Sequence, residues 1–175
     1  MSAQIITGWE AWQRLTALGC TDVKVFQDAR YFLPSREWLG NTFAPFLKGQ
    51  FWQYQRRYIK SKFDCENFAQ EAELEADIDR YVMSRAAKFA VKAANRCLVA
   101  NPAIEDAGAA FLYVEVDIVP GRELNSVRDG KHATNLCLHP DGTASFFEPQ
   151  NSFITDAHEA LDPARPRCAL AWGWL

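Results

Sequence analysis

Three side chains in this sequence could together carry out chemistry at an acyl group: Cys65, His132 and Glu148. A thiol attacks a carbonyl carbon as the thiolate, so it needs a base within hydrogen-bond reach that takes its proton and later returns it. An imidazole can be that base if a third group holds its ring in the productive tautomer. A cysteine, a histidine and a carboxylate are enough for such a site if the fold brings them together.

Cys65 lies at the start of the longest helical pattern in the chain. Apolar residues recur at steps of three or four from Phe68 to Leu98, and Asn101-Pro102 ends the pattern. Asp64 is a suitable N-cap, which would place the Cys65 sulfur near unpaired backbone N–H groups that favour a thiolate. The carboxylates of Asp64 and Glu66 oppose that charge, so a cationic partner is needed.

The predicted partner comes from a hairpin in the second half of the chain. The hairpin consists of a strand over His132–His139, a tight turn at Pro140–Thr143 and a returning strand over Ala144–Glu148. Pairing around this turn places His132 opposite about Phe147 to Asn151. Glu148 could therefore reach His132. Gln150 points to the same side of the strand and competes for the orienting role as a neutral amide.

Each of these residues also has a purely structural interpretation. A cysteine at a helix start is often a small core residue, a lone histidine is often a satisfied polar group, and Glu148 could be a strand-end charge. The acidic run from Glu71 to Asp79 is predicted to be a solvated helix face rather than a metal site. The other cysteines and histidines are predicted to be structural, namely Cys20, Cys97, Cys137, Cys168, His139 and His158.

Three blocks of the sequence resemble those of papain-like and transglutaminase-like cysteine peptidases. They are Phe63-Asp64-Cys65-Glu66-Asn67-Phe68-Ala69, Lys131-His132-Ala133-Thr134-Asn135-Leu136 and Phe147-Glu148-Pro149-Gln150-Asn151. Their order is most similar to that in the C-terminal protease domain of a mushroom agglutinin and its bacterial and phage relatives, with a match over roughly residues 54 to 151. The resemblance implies that Cys65 is the nucleophile, His132 the general base and acid, and Glu148 the orienting group.

The sequence offers more than one candidate for the hydrogen-bond donors that would stabilise an oxyanion. The glutamine that papain-like enzymes place before their cysteine has no secure counterpart in this sequence. The backbone N–H of Cys65 is the first candidate because it is fixed beside the sulfur, and Asn67 and Gln150 are the side-chain candidates. No calcium-ligand positions match those of the agglutinin protease, so we expect neither a metal nor a cofactor.

The expected function is that of a cysteine-dependent hydrolase, a peptidase or an amidase, with a peptide or protein as substrate. A deamidase or a transglutaminase-type acyl transferase would use the same three residues, since these enzymes differ in whether water, an amine or a thiol accepts the acyl group. A catalytically silent binding or structural module that keeps the fold is the alternative from a different class.

The order of the predicted elements indicates a single α+β domain over residues 1–175, of papain-like or transglutaminase-like character. N-terminal helices and the long central helix would pack on an antiparallel sheet. The predicted helices are Gly8–Leu18, ended by Gly19, and Ser35–Leu39, extended over Thr42–Leu47 around Pro45. The predicted extended segments are Thr21–Gln27, Phe51–Tyr58, Ala109–Val119, ended by Pro120-Gly121, and Cys168–Leu175.

Composition excludes several classes of protein. A formal net charge of -3 is too small to indicate a nucleic-acid partner, and no apolar run approaches the roughly 20 residues of a membrane span. Five cysteines without CxxC spacing fit a reducing compartment better than a disulfide scaffold or a zinc site. The N-terminus lacks the pattern of a signal peptide, so we expect a cytoplasmic location.

Overall fold

The structure is a computed structural model that describes residues 4–20, 29–53, 65–73 and 108–174. It is a mixture of helices and mainly antiparallel strands, as the order of predicted elements indicates. Several predictions fall outside the described residues: the strand over Thr21–Gln27, the N-cap at Asp64, the helical pattern beyond residue 73, the aromatic residues 54–58, and Cys97.

The described helices are α1 (Gly8–Ala17), α2 (Arg36–Trp38), a π-helical turn (Leu39–Phe43), α3 (Ala44–Gln53), α4 (residues 65–73) and α5 (Ala157–Ala160). The described strands are β1 (Ile5–Thr7), β2 (Arg30–Phe32), β3 (Gly108–Ala109), β4 (Phe111–Leu124), β5 (Val127–Leu138), β6 (Ala144–Glu148), β7 (Phe153–Asp156) and β8 (Cys168–Trp174). Among these helices, none has both the length and the apolar character that crossing a membrane requires.

The strands form two sheets of different size. The larger sheet has five strands in the order β7-β6-β5-β4-β8, and every neighbouring pair is antiparallel. In the smaller sheet, β1 pairs antiparallel with β2, and β2 pairs parallel with β3. The smaller sheet therefore ties the segment before α1 to the segment that leads into β4.

Local signals define the first helix. Thr7 accepts a hydrogen bond from the Glu10 backbone N–H at 3.2 Å, and the Glu10 carboxylate accepts one from the Thr7 backbone N–H at 2.7 Å. This capping box satisfies two of the donors that a helix start leaves unpaired. Gly19 follows the helix with a φ of +89°, a conformation that glycine adopts without strain. The predicted helix over Gly8–Leu18 is confirmed.

The second predicted helix is also confirmed, and it continues further than expected. Ser35 caps it by accepting from the Trp38 backbone N–H at 3.0 Å. The wider π-helical turn ends two residues before Pro45, a residue that has no N–H to donate and needs space for its ring. The prediction of an extended segment from Phe51 is wrong for residues 51–53, which are helical. Short apolar runs do not distinguish a strand from a buried helix, and here the backbone continues α3.

The predicted end of β4 at Pro120-Gly121 is wrong, because the strand continues to Leu124. The pairing with β5 shifts between Ile118 and Glu123, and this irregularity accommodates the proline and the glycine. Gly121 there has a φ of +76°, and its N–H donates to Asp129 Oδ1 at 2.9 Å.

The large sheet is covered on both faces. On one face Leu112, Val114 and Phe146 belong to a buried cluster with residues of α1 and α5. On the opposite face Phe111, Cys137 and Phe147 pack with residues of the π-helical turn, α3 and α4. The second cluster includes Phe68 and Ala72, so it holds the helix of Cys65 against the sheet.

Phe43 is predicted to be essential for that second cluster. Its ring is fully buried, stacks on Trp38 at 4.9 Å between centroids, and meets Phe111 at 5.2 Å and Phe147 at 5.8 Å. Truncation leaves a cavity, so Phe43→Ala should lower the free energy of unfolding by about 3–5 kcal/mol in urea titrations. The control Trp9→Ala removes a ring that is 63% exposed and should cost about 1 kcal/mol or less. Equal losses of unfolding free energy in Phe43→Ala and Trp9→Ala would contradict the prediction that Phe43 is essential for the second cluster.

Candidate active site

His132 and Glu148 form a buried pair at the end of the β5–β6 hairpin. The hairpin has its turn at Pro140–Thr143 as predicted, and its last cross-strand pair joins Asn135 to Phe147, one residue before Glu148. His132 Nε2 lies 2.5 Å from Glu148 Oε2, and the two side chains are 4% and 1% exposed. The structure thus brings the predicted imidazole and carboxylate into direct contact.

Gln150 contacts this pair through its backbone. Its N–H donates to Glu148 Oε1 at 3.3 Å, while the residue itself is exposed. The two oxygens of Glu148 therefore have different partners, the His132 ring and the Gln150 N–H. The carboxylate, and not the Gln150 amide, makes the short contact to the ring.

Cys65 lies on α4 near the same imidazole. The residue is half-buried and packs against Ala69, Tyr113 and Ala133, and its side chain is one of the neighbours that raise the pKa of His132. A carboxylate only accepts, so Nε2 of His132 carries the proton shared with Glu148. Of the three residues selected from the sequence, the structure places His132 and Glu148 in direct contact and Cys65 nearby.

The environment of His132 favours its protonated form. Burial alone would lower its pKa, but the neighbouring Cys65 side chain, the hydrogen bond with Glu148 and the negative charge of Glu148 together raise the pKa to about 9. The ring is therefore an imidazolium at neutral pH. It is the cation that the thiol was expected to need beside Glu66.

Tyr113 is a neighbour of Cys65 that the sequence analysis did not select. It is buried in the cluster with Ala69 and Ala133, and its hydroxyl lies 3.3 Å from Glu115 Oε1. Burial, followed by the nearby charges of Glu115, Glu66 and Cys65, raises its pKa well above the usual value, so the phenol stays neutral. The alternation of β4 marks Tyr113 as facing the same side as Phe111. Its closeness to Cys65 depends on how α4 docks.

The other described cysteines and His139 are structural, as predicted. Cys20, Cys137 and Cys168 are buried, and burial raises the pKa of the Cys168 thiol to about 12. His139 Nδ1 donates to the Pro34 carbonyl oxygen at 2.8 Å, and its Nε2 accepts from Ser145 Oγ at 2.9 Å. Burial lowers the pKa of His139, so this ring is held in the neutral form.

The remaining candidates have less defined surroundings. Asn67 is half-buried, two residues after Cys65 on α4. Glu71 is also half-buried on α4, and the acidic run beyond Glu73 lies outside the described residues. In the ranges that the structure describes, no three His, Cys, Asp or Glu side chains are grouped so that they could hold a metal ion.

Solved structures of a lectin from Polyporus squamosus share this fold. One is a PSL1a–E64 complex, at 17% identity and a TM-score of 0.59, covering 98% of this chain and 51% of the lectin chain. The other is the lectin bound to the human-type influenza-binding epitope Neu5Acα2-6Galβ1-4GlcNAc, at 18% identity and a TM-score of 0.59, covering 98% and 49%. The present chain thus spans about half the length of these lectin chains. At this identity the similarity shows the fold alone. No family model and no curated protein matches the sequence.

The raised pKa of His132 predicts how stability depends on pH. An unfolded histidine has a pKa of about 6.5, so between about pH 6.5 and 9 the folded protein holds a proton that the unfolded chain has lost. The free energy of unfolding should therefore fall as pH rises through this window, by on the order of 3 kcal/mol.

Urea titrations at several pH values measure this slope. In His132→Gln the slope should largely disappear, because the titrating group has been removed. His158→Gln, on the exposed side of α5, is the matched control and should keep the slope. An unchanged slope in His132→Gln would show that another group is responsible.

Proposed function

We propose that this chain is a cysteine-dependent hydrolase, a peptidase or an amidase, in which Cys65 is the nucleophile, His132 the base and acid, and Glu148 the group that orients His132. The observation that carries the proposal is the buried His132 ring, which lies 2.5 Å from Glu148 Oε2 and whose pKa the nearby Cys65 side chain helps to raise. A papain-like or transglutaminase-like fold is part of the same proposal, since the three blocks occur in that order in those enzymes.

The proposed reaction begins with the thiolate of Cys65, whose charge is balanced by the His132 imidazolium. The sulfur adds to the carbonyl carbon of the substrate, and the carbonyl oxygen becomes an oxyanion. The backbone N–H of Cys65 is the first candidate donor to that oxygen, and the side chains of Asn67 and Gln150 are further candidates. When the C–N bond breaks, His132 gives its proton to the leaving amine and a thioester remains on Cys65.

The second half of the reaction releases the acyl group. Neutral His132 takes a proton from a water molecule, which attacks the thioester, and the carboxylic acid leaves while the thiolate–imidazolium pair forms again. Glu148 stabilises the imidazolium in both halves without accepting its proton. An amine that replaced the water would make the protein an acyl transferase instead, with the same three residues.

The comparison with the lectin supports this proposal in one respect. PSL1a is found in complex with E64. E64 contains an epoxide, and thiolates open epoxide rings, so E64 is a suitable probe for a thiol of this kind. The second lectin structure contains a glycan. A glycan site has no need of a histidine buried between a thiol and a carboxylate, which is why we favour the hydrolase for this chain.

Labelling with limiting E64 or iodoacetamide at about pH 6.5 tests the proposal. Mass spectrometry should place the adducts on Cys65 first. Exposure alone would favour Cys65 over the buried Cys20, so the rate must also be measured in His132→Ala. Loss of the imidazolium should slow the labelling of Cys65 by about tenfold or more. Equal rates in the two proteins, or faster labelling of another cysteine, would remove the case for an activated thiolate.

A second prediction separates Glu148 from Gln150. In Glu148→Gln the amide can still contact the ring but cannot stabilise its charge, so turnover and the labelling of Cys65 near neutral pH should fall by about tenfold or more. In Gln150→Ala the backbone N–H that reaches Glu148 stays, so the pH profile of labelling should be unchanged. A displaced profile in Gln150→Ala with a normal one in Glu148→Gln would transfer the orienting role to Gln150.

A further inference from the structure

Asn135 lies fully buried between the strand that carries His132 and the helix that carries Cys65. Its Nδ2 donates to the Ala69 carbonyl oxygen on α4 at 2.9 Å and to the Leu112 carbonyl oxygen on β4 at 3.3 Å. One amide group therefore ties α4 to two strands of the large sheet.

The direction of this amide is fixed by its partners. Both are carbonyl oxygens, which only accept, so the nitrogen must face them and the oxygen must face away. Oδ1 of Asn135 is buried and has no hydrogen-bond partner among the described residues. An apolar side chain of similar size would fill the space without this unpaired oxygen. Asparagine instead provides one hydrogen bond from the sheet to the helix, at Ala69, and one to the neighbouring strand, at Leu112.

The tie lies close to the proposed reacting groups. Ala69 is one helical turn after Cys65, and Asn135 is two residues after Ala133 on β5, so the Asn135 and Ala133 side chains point to the same face of the strand. Ala69 and Ala133 are both small and both belong to the cluster that contacts Cys65, so the helix can approach the strand closely at this point. A shift of the Ala69 turn along the sheet would move Cys65 relative to His132.

We propose that Asn135 is a positioning residue, which holds α4 against β5 so that the Cys65 thiol can pair with the His132 imidazole. This inference rests on the proposed function and assigns a further residue to the same site. A misplacement of about 1 Å between reacting groups can cost on the order of 100-fold in rate. Apolar packing of Phe68 and Ala72 holds the helix against the sheet but does not fix the position of the helix along the strands. The hydrogen bond from Asn135 to Ala69 fixes that position, because it requires one residue of the helix to lie opposite one residue of β5.

The test compares Asn135→Leu with the native protein. The rate at which iodoacetamide labels Cys65 at about pH 6.5 should fall by about 10- to 100-fold, and the labelling profile should move to higher pH. An NMR titration should show the pKa of His132 moving from about 9 towards its ordinary value, because the Cys65 side chain, which helps to raise that pKa, moves away from the ring. A merely structural role would lower the melting temperature without moving either titration.

Ser145→Ala is the matched control. It removes the hydroxyl partner of His139 Nε2, an equally buried hydrogen bond on the neighbouring strand that does not involve α4. This variant should lose stability but keep the native labelling profile and the native His132 titration. If Asn135→Leu does not fold, Asn135→Ser, which keeps a hydroxyl donor and leaves room, undergoes the same measurements and should show the same direction of change.

The outcomes separate this inference from the proposed function. If native Cys65 reacts no faster than Cys65 in His132→Ala, the proposed function fails and this inference fails with it. If native Cys65 is activated and the Asn135 variants keep its rate, its pH profile and the His132 titration, the proposed function stands and the positioning role is wrong.

Discussion

The contact between His132 and Glu148 is the constraint on which the rest of this fold depends. Taking an imidazolium and a carboxylate out of water costs several kcal/mol for each ion, and only a close pair with further hydrogen bonds offsets that cost. The hairpin must therefore keep its register, since a slip of one residue would turn Glu148 to the other face of the sheet. Hydrogen bonds within the turn help to fix this register, because Asp141 accepts from both the backbone N–H and the hydroxyl of Thr143.

The two faces of the large sheet are covered differently. The face that packs on α1 and α5 is an apolar core. The opposite face receives α4, and with it the thiol, through an aromatic cluster around Phe43 and through the buried amide of Asn135. Alternation along β4 supplies both faces from one strand, because successive side chains point to opposite sides. A strand that is covered on both faces has little freedom to move, and this suits β5, whose His132 must keep its contact with Glu148.

The lectin structures and this chain share an arrangement of helices and strands, and that similarity reaches about half of each lectin chain. A shared fold does not carry a function with it, since one fold supports many chemistries. The functional argument therefore depends on the residues of this chain, and above all on a histidine whose pKa is raised although its burial works in the opposite direction. Strongly shifted pKa values are more frequent at functional sites than elsewhere, although structural ion pairs also produce them, so the proposal rests equally on the half-buried thiol beside this pair.

The sequence by itself determined the features that local chemistry controls. The capping box of α1, the Ser35 cap, the Pro140–Thr143 turn and the exact span of β6 followed from residues within a few positions of one another. The hairpin spacing also brought His132 and Glu148 together, because their contact spans only one turn. Tertiary structure decided the rest: the continuation of β4 past Pro120, which depends on pairing with β5, and the tie of Asn135 to Ala69, which joins residues 66 positions apart. Such contacts leave no local signal, since they form only when a helix docks on a sheet, and neither element alone specifies where.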